Sequence, residues 1–193
     1  MEKYIDIDFA KLDIERKKRR GGTESVFCEC KTKEQLVKIF SEFEKQGQNI
    51  LGTRVTKEQA NALKNAIPDI IYNPQARTVT LLREKITKIG EIAVCTGGTG
   101  DIPVAEEAAV TAEFYGGNVK KYYDIGVAGI HRLFDKIDEI KRANVIIAVA
   151  GMEGALASVV GGMASCPVIA VPTSVGYGAS FGGLSALLSM LNS

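Results

Sequence analysis

Apolar stretches alternate regularly with helix-forming stretches in the second part of the chain. Four stretches predict strands: "EIAVCT", "NVKKYYDIG", "NVIIAVAG" and "CPVIAVP". Each is followed by a predicted helix: "PVAEEAAVTAEFYG", "GIHRLFDKIDEIKR", "GALASVVGGMA" and "FGGLSALLSMLN". Four such units predict a parallel sheet that is covered by helices on both faces. Because ligands bind beyond the carboxyl ends of such strands, we expect any site to lie in the four strand-to-helix loops.

The first part of the chain is more highly charged and poorer in glycine, since 16 of the 20 glycines follow residue 84. The helical spacing of apolar residues over 5–12 predicts a helix that ends at Gly21. A capping box at 32–35 precedes a second amphipathic helix. We therefore predict two domains: a small N-terminal α/β domain over residues 1–84 and a larger α/β/α domain over residues 85–193.

Composition narrows the possible function classes. The net charge of +1 is too small to attract nucleic acid or an anionic membrane by long-range electrostatics. No apolar run approaches the roughly 20 residues of a membrane span, and the charged N-terminus is not a secretory signal. The four cysteines match neither a zinc ribbon nor a disulfide framework, so a cytoplasmic location is expected. The single histidine excludes a histidine-rich metal site within one chain.

The loop "TGGTGDIP", residues 96–103, has features of a phosphate-binding loop. Glycine lets the backbone approach a ligand, and a helix N-terminus offers free amides with partial positive charge. It is not the dinucleotide fingerprint, because Pro103 stands where the last glycine would be, and it is not a Walker A loop. Asp101 is either an N-cap or a carboxylate that holds a ribose hydroxyl or a bound magnesium ion.

Two further loops carry candidate acid–base groups. Glu153 follows the apolar stretch "VIIAVA", and burial beyond a strand end would make it a better proton acceptor, as a general base requires. Its alternative role is that of an acid attracted to a helix dipole. His131, beside Arg132 in the first turn of a predicted helix, is either a catalytic candidate or a structural imidazole.

The fourth loop, "PTSVGYG" at residues 172–178, supplies hydroxyls and amides, with Tyr177 as a stacking or hydrogen-bonding group. Cys95 and Cys166 fall on predicted strands and are expected to be core thiols rather than activated nucleophiles. The basic run Arg16–Arg20 is either the last turn of a helix, favoured there by the macrodipole, or a phosphate-facing patch.

Several of these stretches closely resemble the pyridinium-3,5-biscarboxylic acid mononucleotide synthase (LarB) family: "CTGGTGDIPVAEEAA", "GVAGIHRL", "AVAGMEGALASVVGG" and "PVIAVPTSVGYGASFGGLSALLSMLNS". The second domain also resembles, more distantly, the PurE aminoimidazole ribonucleotide carboxylase fold. In the first domain, "LDIERKKRRGGTESV" and "QGQNILGTR" resemble the family, although Gly22-Thr23 replaces its aromatic-proline pair. The resemblance covers nearly the whole chain and implies a PurE-like, flavodoxin-like three-layer α/β/α second domain.

The resemblance implies a reaction in nickel-pincer cofactor biosynthesis. Nicotinic acid adenine dinucleotide is carboxylated on its pyridinium ring with carbon dioxide as co-substrate, and its phosphoanhydride is hydrolysed to release AMP. Glu153 would be the base, and Asp101 and His131 are further catalytic candidates. No resident cofactor is expected, and magnesium held through substrate phosphates near Asp101 remains an alternative. The implied substrate-binding residues are Thr96, Gly97, Gly98, Thr99, Gly100, Arg132, Gly151, Met152, Pro172, Thr173, Ser174, Gly176, Tyr177 and Gly178.

One departure from the family concerns its nucleophilic cysteine, which directly follows "LLSMLNS". This sequence ends at Ser193, so we expect a C-terminally shortened chain that lacks the nucleophile and the last sheet strand. Two other functions remain open. One is a carboxylase or mutase acting on a purine-pathway ribotide, although that family's Ser-Ala-His-Arg-Thr-Pro stretch is here "VAGIHRL". The other is a non-catalytic nucleotide-binding or assembly module.

Self-association is also expected, because the stretches "GALASVVGGMA" and "FGGLSALLSMLN" are too apolar for a solvated helix face. By resemblance to PurE-like cores, the assembly would lie between a dimer and an octamer. The expected ligand is nicotinic acid adenine dinucleotide or a similar dinucleotide such as NAD. Nucleic acid and membrane partners are not expected.

Overall fold

A computed structural model describes residues 4–193 of the chain. The chain divides into two compact units, of which the first ends at Thr87 and the second covers Lys88–Ser193. Within the described residues, no helix is both long enough and apolar enough to span a bilayer.

The first unit is a small α/β domain. It contains β1 (Ile5–Asp6), β2 (Lys11–Leu12), α1 (Arg16–Arg20), β3 (Ser25–Phe27), α2 (Lys33–Lys45), β4 (Ile50–Thr53), α3 (Lys57–Ala66), β5 (Ile71–Asn73) and β6 (Thr78–Leu81). The sheet order is β3-β4-β6-β5, in which only β3 and β4 pair in parallel. The apolar stripe of α2 is buried in the core, and its predicted capping box is formed by Thr32 and Gln35.

The helix predicted over residues 5–12 is wrong, because this segment forms the antiparallel pair β1–β2. Asp8 adopts a left-handed conformation with φ of 73°, and its amide donates to the Asp6 carboxylate at 3.0 Å. This local turn competes with helix formation. Only the five residues of α1 are helical, and they end as predicted at Gly21, which has φ of 77°.

The second unit carries the parallel sheet. Its elements are β7 (Ile89–Thr96), α4 (Ile102–Phe114), β8 (Gly117–Tyr122), α5 (Ile130–Phe134), α6 (Ile137–Ile140), β9 (Val145–Ala150), α7 (Ala155–Met163), β10 (Val168–Pro172) and α8 (Leu184–Leu191). The sheet order is β10-β9-β7-β8, with every pair parallel. The predicted fold class is thereby confirmed. One predicted helix is divided into the short helices α5 and α6.

Alternate residues of β7 face opposite layers. Val94 packs in a cluster with Ala105 and Ala109 of α4. Ala93 and Cys95 belong to the other cluster, which includes apolar residues of α5, α6 and α7. The chain steps from β7 to β8 on one side and then returns past β7 to β9 and β10. The strand order therefore reverses between β7 and β9, and such a switch point opens a crevice at the carboxyl ends of the strands.

Candidate functional site

A cavity of about 350 Å³ lies at this switch point in the second unit. Its lining comes from the loops that follow all four parallel strands and from the first turns of α5 and α7. The four predicted loops therefore meet around one cavity. Its charged lining residues are Asp101, Arg132 and Glu153.

The loop after β7 brings the start of a helical segment to the cavity wall. Residues Thr99–Asp101 form a 3₁₀ turn that leads directly into α4, with proline in the first turn of the helix. The first amides of a helix have no intrahelical acceptor and carry partial positive charge. Because Thr99 and Gly100 line the cavity, this end of α4 is suited to bind an anionic group.

Asp101 is buried between the first and the last of the four loops, with 4% of its surface exposed. One carboxylate oxygen accepts a 2.7 Å bond from the Thr173 hydroxyl. The other accepts a 3.0 Å bond from the Gly98 amide. The carboxylate therefore joins the loop after β7 to the loop after β10.

The loop after β8 positions Arg132, which lines the cavity. Its guanidinium donates to the carboxylate of Asp124. Asp124 has a left-handed φ of 57°, and its amide donates to the Thr96 hydroxyl at 2.9 Å. Gly126 is needed here because a Cβ at this position would lie 2.3 Å from the Gly97 carbonyl oxygen. The loops after β7 and β8 are thus in close backbone contact at Gly97 and Gly126.

The loop after β9 is a tight turn in which the Gly154 amide donates to the Gly151 carbonyl. Met152 within it has a left-handed φ of 53°, a strained conformation for a residue with a long side chain. Glu153 lines the cavity but is exposed. The burial expected for Glu153 is therefore not found in this chain, because the turn holds it at the cavity mouth.

The loop after β10 folds back over the loops that follow β7 and β9. The Val175 carbonyl accepts from the Met152 amide at 3.2 Å. Gly151 permits this approach, since a Cβ there would lie 1.7 Å from the Val175 carbonyl oxygen. Tyr177 follows on the cavity wall with 79% of its surface exposed. Its ring is thus available to a ligand.

Most of the residues proposed from the sequence lie on the cavity wall: Gly97, Gly98, Thr99, Gly100, Asp101, Arg132, Gly151, Met152, Glu153, Gly176 and Tyr177. Six do not: Thr96, His131, Pro172, Thr173, Ser174 and Gly178. Thr96 and Thr173 are buried and bond to other loops. His131 is exposed outside the lining, and Gly178 borders a neighbouring cavity of about 290 Å³ that also contacts Glu153 and Tyr177.

Sequence reasoning missed several apolar and glycine residues of the wall: Gly126, Val127, Ala128, Ala150, Ala155, Leu156 and Val175. It also missed Asp124, the partner of Arg132. Gly126, Val127 and Ala128 belong to the loop "DIGVAG", one of the four strand-to-helix loops in which the sequence predicts the site, and this loop is the signal that could have placed them. Small residues such as Ala150 and Ala155 carry no chemical signature, and only their position at a strand end or helix start places them here.

None of the chain's four cysteines lines the cavity. Burial raises the pKa of the Cys28 and Cys95 thiols to about 12, so both are neutral at physiological pH. Cys95 packs in the second unit's core as expected. Cys166 is half-buried, at the end of the sheet opposite the loops, and Cys30 is exposed in the first unit.

The residues present do not fit a magnesium site held by the protein itself. Within residues 4–193 there is no group of three or more histidine, cysteine, aspartate or glutamate side chains that could hold a metal ion. Asp101, the carboxylate suggested for this role, has each of its oxygens bonded by a protein donor.

Comparison with known proteins assigns both parts of the chain. Residues 4–84 match the family described as the LarB/PurE-like N-terminal domain, and residues 91–193 match the one described as AIR carboxylase. The chain belongs to the LarB family. This places it among PurE-like carboxylases, a carboxylase-type enzyme family. The cavity lies wholly within the part that matches AIR carboxylase.

Two relatives come from Methanocaldococcus jannaschii. Uncharacterized protein MJ0165 is 39% identical over 211 residues, an alignment that covers all of this chain and 80% of that protein. An N5-carboxyaminoimidazole ribonucleotide mutase is 35% identical over 101 residues, which covers 51% of this LarB-family chain and 59% of the mutase. The relationship to the mutase is therefore a partial one.

Proposed function

We propose that this chain binds nicotinic acid adenine dinucleotide and takes part in carboxylation of its pyridinium ring, with hydrolysis of the phosphoanhydride. The observation that carries the proposal is the switch-point cavity, which combines helix amides, a guanidinium and a carboxylate. The products are AMP and pyridinium-3,5-biscarboxylic acid mononucleotide, a precursor in nickel-pincer cofactor biosynthesis.

Binding is proposed to rest on two sources of positive potential. The amides of Thr99 and Gly100 at the start of α4 face phosphate oxygens, and the Arg132 guanidinium adds a full charge. Asp124 holds Arg132 in place. The exposed ring of Tyr177 offers a surface on which a nucleotide base or the pyridinium ring stacks.

The chemistry needs a nucleophile and a base, because a pyridinium ring is too poor in electrons to attack carbon dioxide. A thiolate adds to the ring and forms a C–S bond, which gives a dihydropyridine with a nucleophilic enamine carbon. That carbon forms the C–C bond to carbon dioxide. Glu153 then removes the proton from the same carbon, the C–S electron pair leaves with the thiolate, and the ring regains aromaticity. Water cleaves the phosphoanhydride and releases AMP.

The thiolate of this scheme has to come from a cysteine other than the four described, since none of those lines the cavity. The chain's own contribution is therefore ligand binding and proton removal. This division makes binding testable separately from turnover.

The direct test is incubation with nicotinic acid adenine dinucleotide and ¹³C-bicarbonate, followed by mass spectrometry of the small molecules. A polypeptide segment that carries the reactive cysteine has to be supplied with the chain. Under these conditions the proposal predicts AMP together with a ¹³C-labelled biscarboxylate mononucleotide. AMP release without label incorporation would instead indicate a hydrolase.

A second candidate is carboxylation or rearrangement of an aminoimidazole ribotide, and the partial similarity to the N5-carboxyaminoimidazole ribonucleotide mutase favours it. A ribotide has one phosphate that the same amides and Arg132 would hold. The N-terminal LarB-type domain weighs against this function, because the similarity to the mutase covers only about half of the chain. Conversion of the ribotide at a rate exceeding that of the dinucleotide would favour this second candidate.

A further inference from the structure

We propose that Thr173 and Asp101 are positioning residues: a buried hydroxyl–carboxylate pair that braces the wall of the ligand cavity. The inference rests on the proposed function for the identity of the ligand, but not for the brace itself. It reassigns Asp101, a candidate catalytic group by sequence, to a role that acts through the loops. Thr173, proposed from sequence as a ligand contact, becomes the partner of Asp101.

The brace consists of two hydrogen bonds that converge on one buried carboxylate. Thr173 donates its hydroxyl to one oxygen at 2.7 Å, and Gly98 donates its amide to the other at 3.0 Å. Asp101 and Thr173 are 4% and 6% exposed. Bonds to an ionised acceptor in such surroundings are stronger than neutral ones, and their loss leaves a buried carboxylate short of a donor.

Further contacts carry the position of Thr173 to the cavity wall. The Thr173 amide donates to the Ala150 carbonyl at 3.0 Å, at the end of β9. Two residues later, the Val175 carbonyl accepts from Met152. A Cβ on Gly100 would lie 2.6 Å from a Val175 methyl group. The loop after β10 is therefore packed against the loops that follow β7 and β9, and it leaves no room for a side chain at Gly100.

The consequence for the ligand is geometric. The amides of Thr99 and Gly100 lie between Gly98 and Asp101, so the brace fixes their direction. Tyr177 follows Val175, so the brace also fixes where its ring stands. A loosened brace would leave the fold intact but misplace both groups, which weakens binding without removing any contact group.

The test compares Thr173→Val, which keeps the shape and removes the hydroxyl, with Thr173→Ser, which keeps the hydroxyl. Thr111→Val is the matched control, because Thr111 is half-buried on α4 and does not line the cavity. Hydrogen exchange of the ligand-free proteins is followed by mass spectrometry in peptides spanning 97–104 and 173–178. Titration calorimetry with nicotinic acid adenine dinucleotide gives the affinities.

The expected result is faster exchange in both peptides for Thr173→Val and an affinity lower by about tenfold, because the ligand-binding groups are misplaced by the loosened loops. Thr173→Ser should restore both, and Thr111→Val should change neither. Peptides over residues 137–146 should exchange as in the wild type. Unchanged exchange and affinity in Thr173→Val, or equal loss in Thr173→Ser, would overturn the proposal.

Two further arms keep the result decisive. If Thr173→Val fails to fold, Asp101→Asn replaces it, because an amide has only one oxygen to accept from the two donors; faster exchange in the same two peptides supports the brace, and wild-type exchange refutes it. If the wild-type protein binds no dinucleotide, the proposed function fails while the exchange data still decide the brace.

Discussion

At the residue scale, Glu153 is the carboxylate that we propose acts on the ligand. Asp101 is committed to Thr173 and Gly98, whereas Glu153 is exposed at the cavity mouth. Glu153→Gln keeps the size of the side chain and removes the base. In protein supplied with the thiolate that the reaction needs, we expect retained dinucleotide affinity and carboxylation slower by about 10²-fold or more.

The control is Glu139→Gln, an exposed glutamate on α6 that is 3.6 Å from Lys136 and outside the cavity. It should leave both quantities unchanged. Near-normal carboxylation by Glu153→Gln would assign Glu153 to the alternative role of an acid attracted to the dipole of α7.

The buried thiol of Cys95 predicts a pH dependence of stability. Burial raises its pKa from 9.0 to about 12, so above pH 9 the unfolded chain loses a proton that the folded chain keeps. Its contribution to stability is complete below pH 9 and is lost as pH rises from 9 to 12. Cys95→Ala should flatten the decline of the unfolding free energy in this window by about 1 kcal/mol per pH unit. Urea titrations at several pH values measure it.

Cys166→Ala is the control for the pH dependence of the unfolding free energy, since Cys166 is only half-buried and lies at the opposite end of the sheet. Equal slopes for Cys95→Ala and the wild type above pH 9 would show that the Cys95 thiol ionises in the folded protein.

Individual residues differed in how far sequence reasoning could place them. The position of the glycines of "TGGTGD" on the cavity wall was predictable from the loop that follows a strand, and that of Arg132 from the family resemblance. The partner of Asp101 was not, since Thr173 lies 72 positions away and becomes its neighbour only through the strand order. Glu153 is exposed and follows Met152, whose left-handed conformation no residue pattern predicts.

At the element scale, we propose that the start of α4 and Arg132 in the first turn of α5 bind the same anionic group. Arg132→Gln removes the charge but leaves the helix amides in place. We expect the affinity for nicotinic acid adenine dinucleotide to fall about tenfold and to depend less on salt. Calorimetry at low and at physiological ionic strength measures both effects.

Arg142→Gln is the matched control for this change. Arg142 is exposed and donates to the Asp138 carbonyl at 3.1 Å, away from the cavity. If both variants lowered affinity alike, the effect of Arg132 would reflect general charge rather than a phosphate contact.

Secondary structure was predictable from the sequence where long runs of apolar residues form the strands. It was not predictable where a local turn determines the conformation. The strands β7, β9 and β10 could be predicted because they are nearly continuous apolar runs. The edge strand β8, which carries Lys120 and Lys121, could be predicted from the regular alternation of strands and helices. The hairpin at residues 5–12 could not, since its helical spacing is accidental and the turn at Asp8 decides its conformation. The break between α5 and α6 contains no glycine or proline that would mark it in the sequence.

At the scale of the whole molecule, apolar side chains of α8 remain exposed: Leu184, Leu187, Leu188 and Leu191. Ile169 on β10 is also 52% exposed. A surface of this composition is typical of an interface, so self-association stays a prediction. Light scattering at micromolar concentration should give a dimer or larger assembly.

The matched change is Leu188→Glu, which places a charge on this helix face and should lower the observed mass. Lys45→Glu, an exposed change in the first unit, should leave it unaltered. A monomer for the wild-type chain at these concentrations would contradict the prediction.

We propose that the switch-point cavity selects a pyridine dinucleotide. The decisive measurement is titration calorimetry of the wild-type chain with nicotinic acid adenine dinucleotide and, separately, with an aminoimidazole ribotide. We predict saturable one-site binding of the dinucleotide, at least about tenfold tighter than that of the ribotide, as two phosphates and a second stacking ring would give. Tighter binding of the ribotide, or no binding of the dinucleotide at millimolar concentration, would contradict the claim.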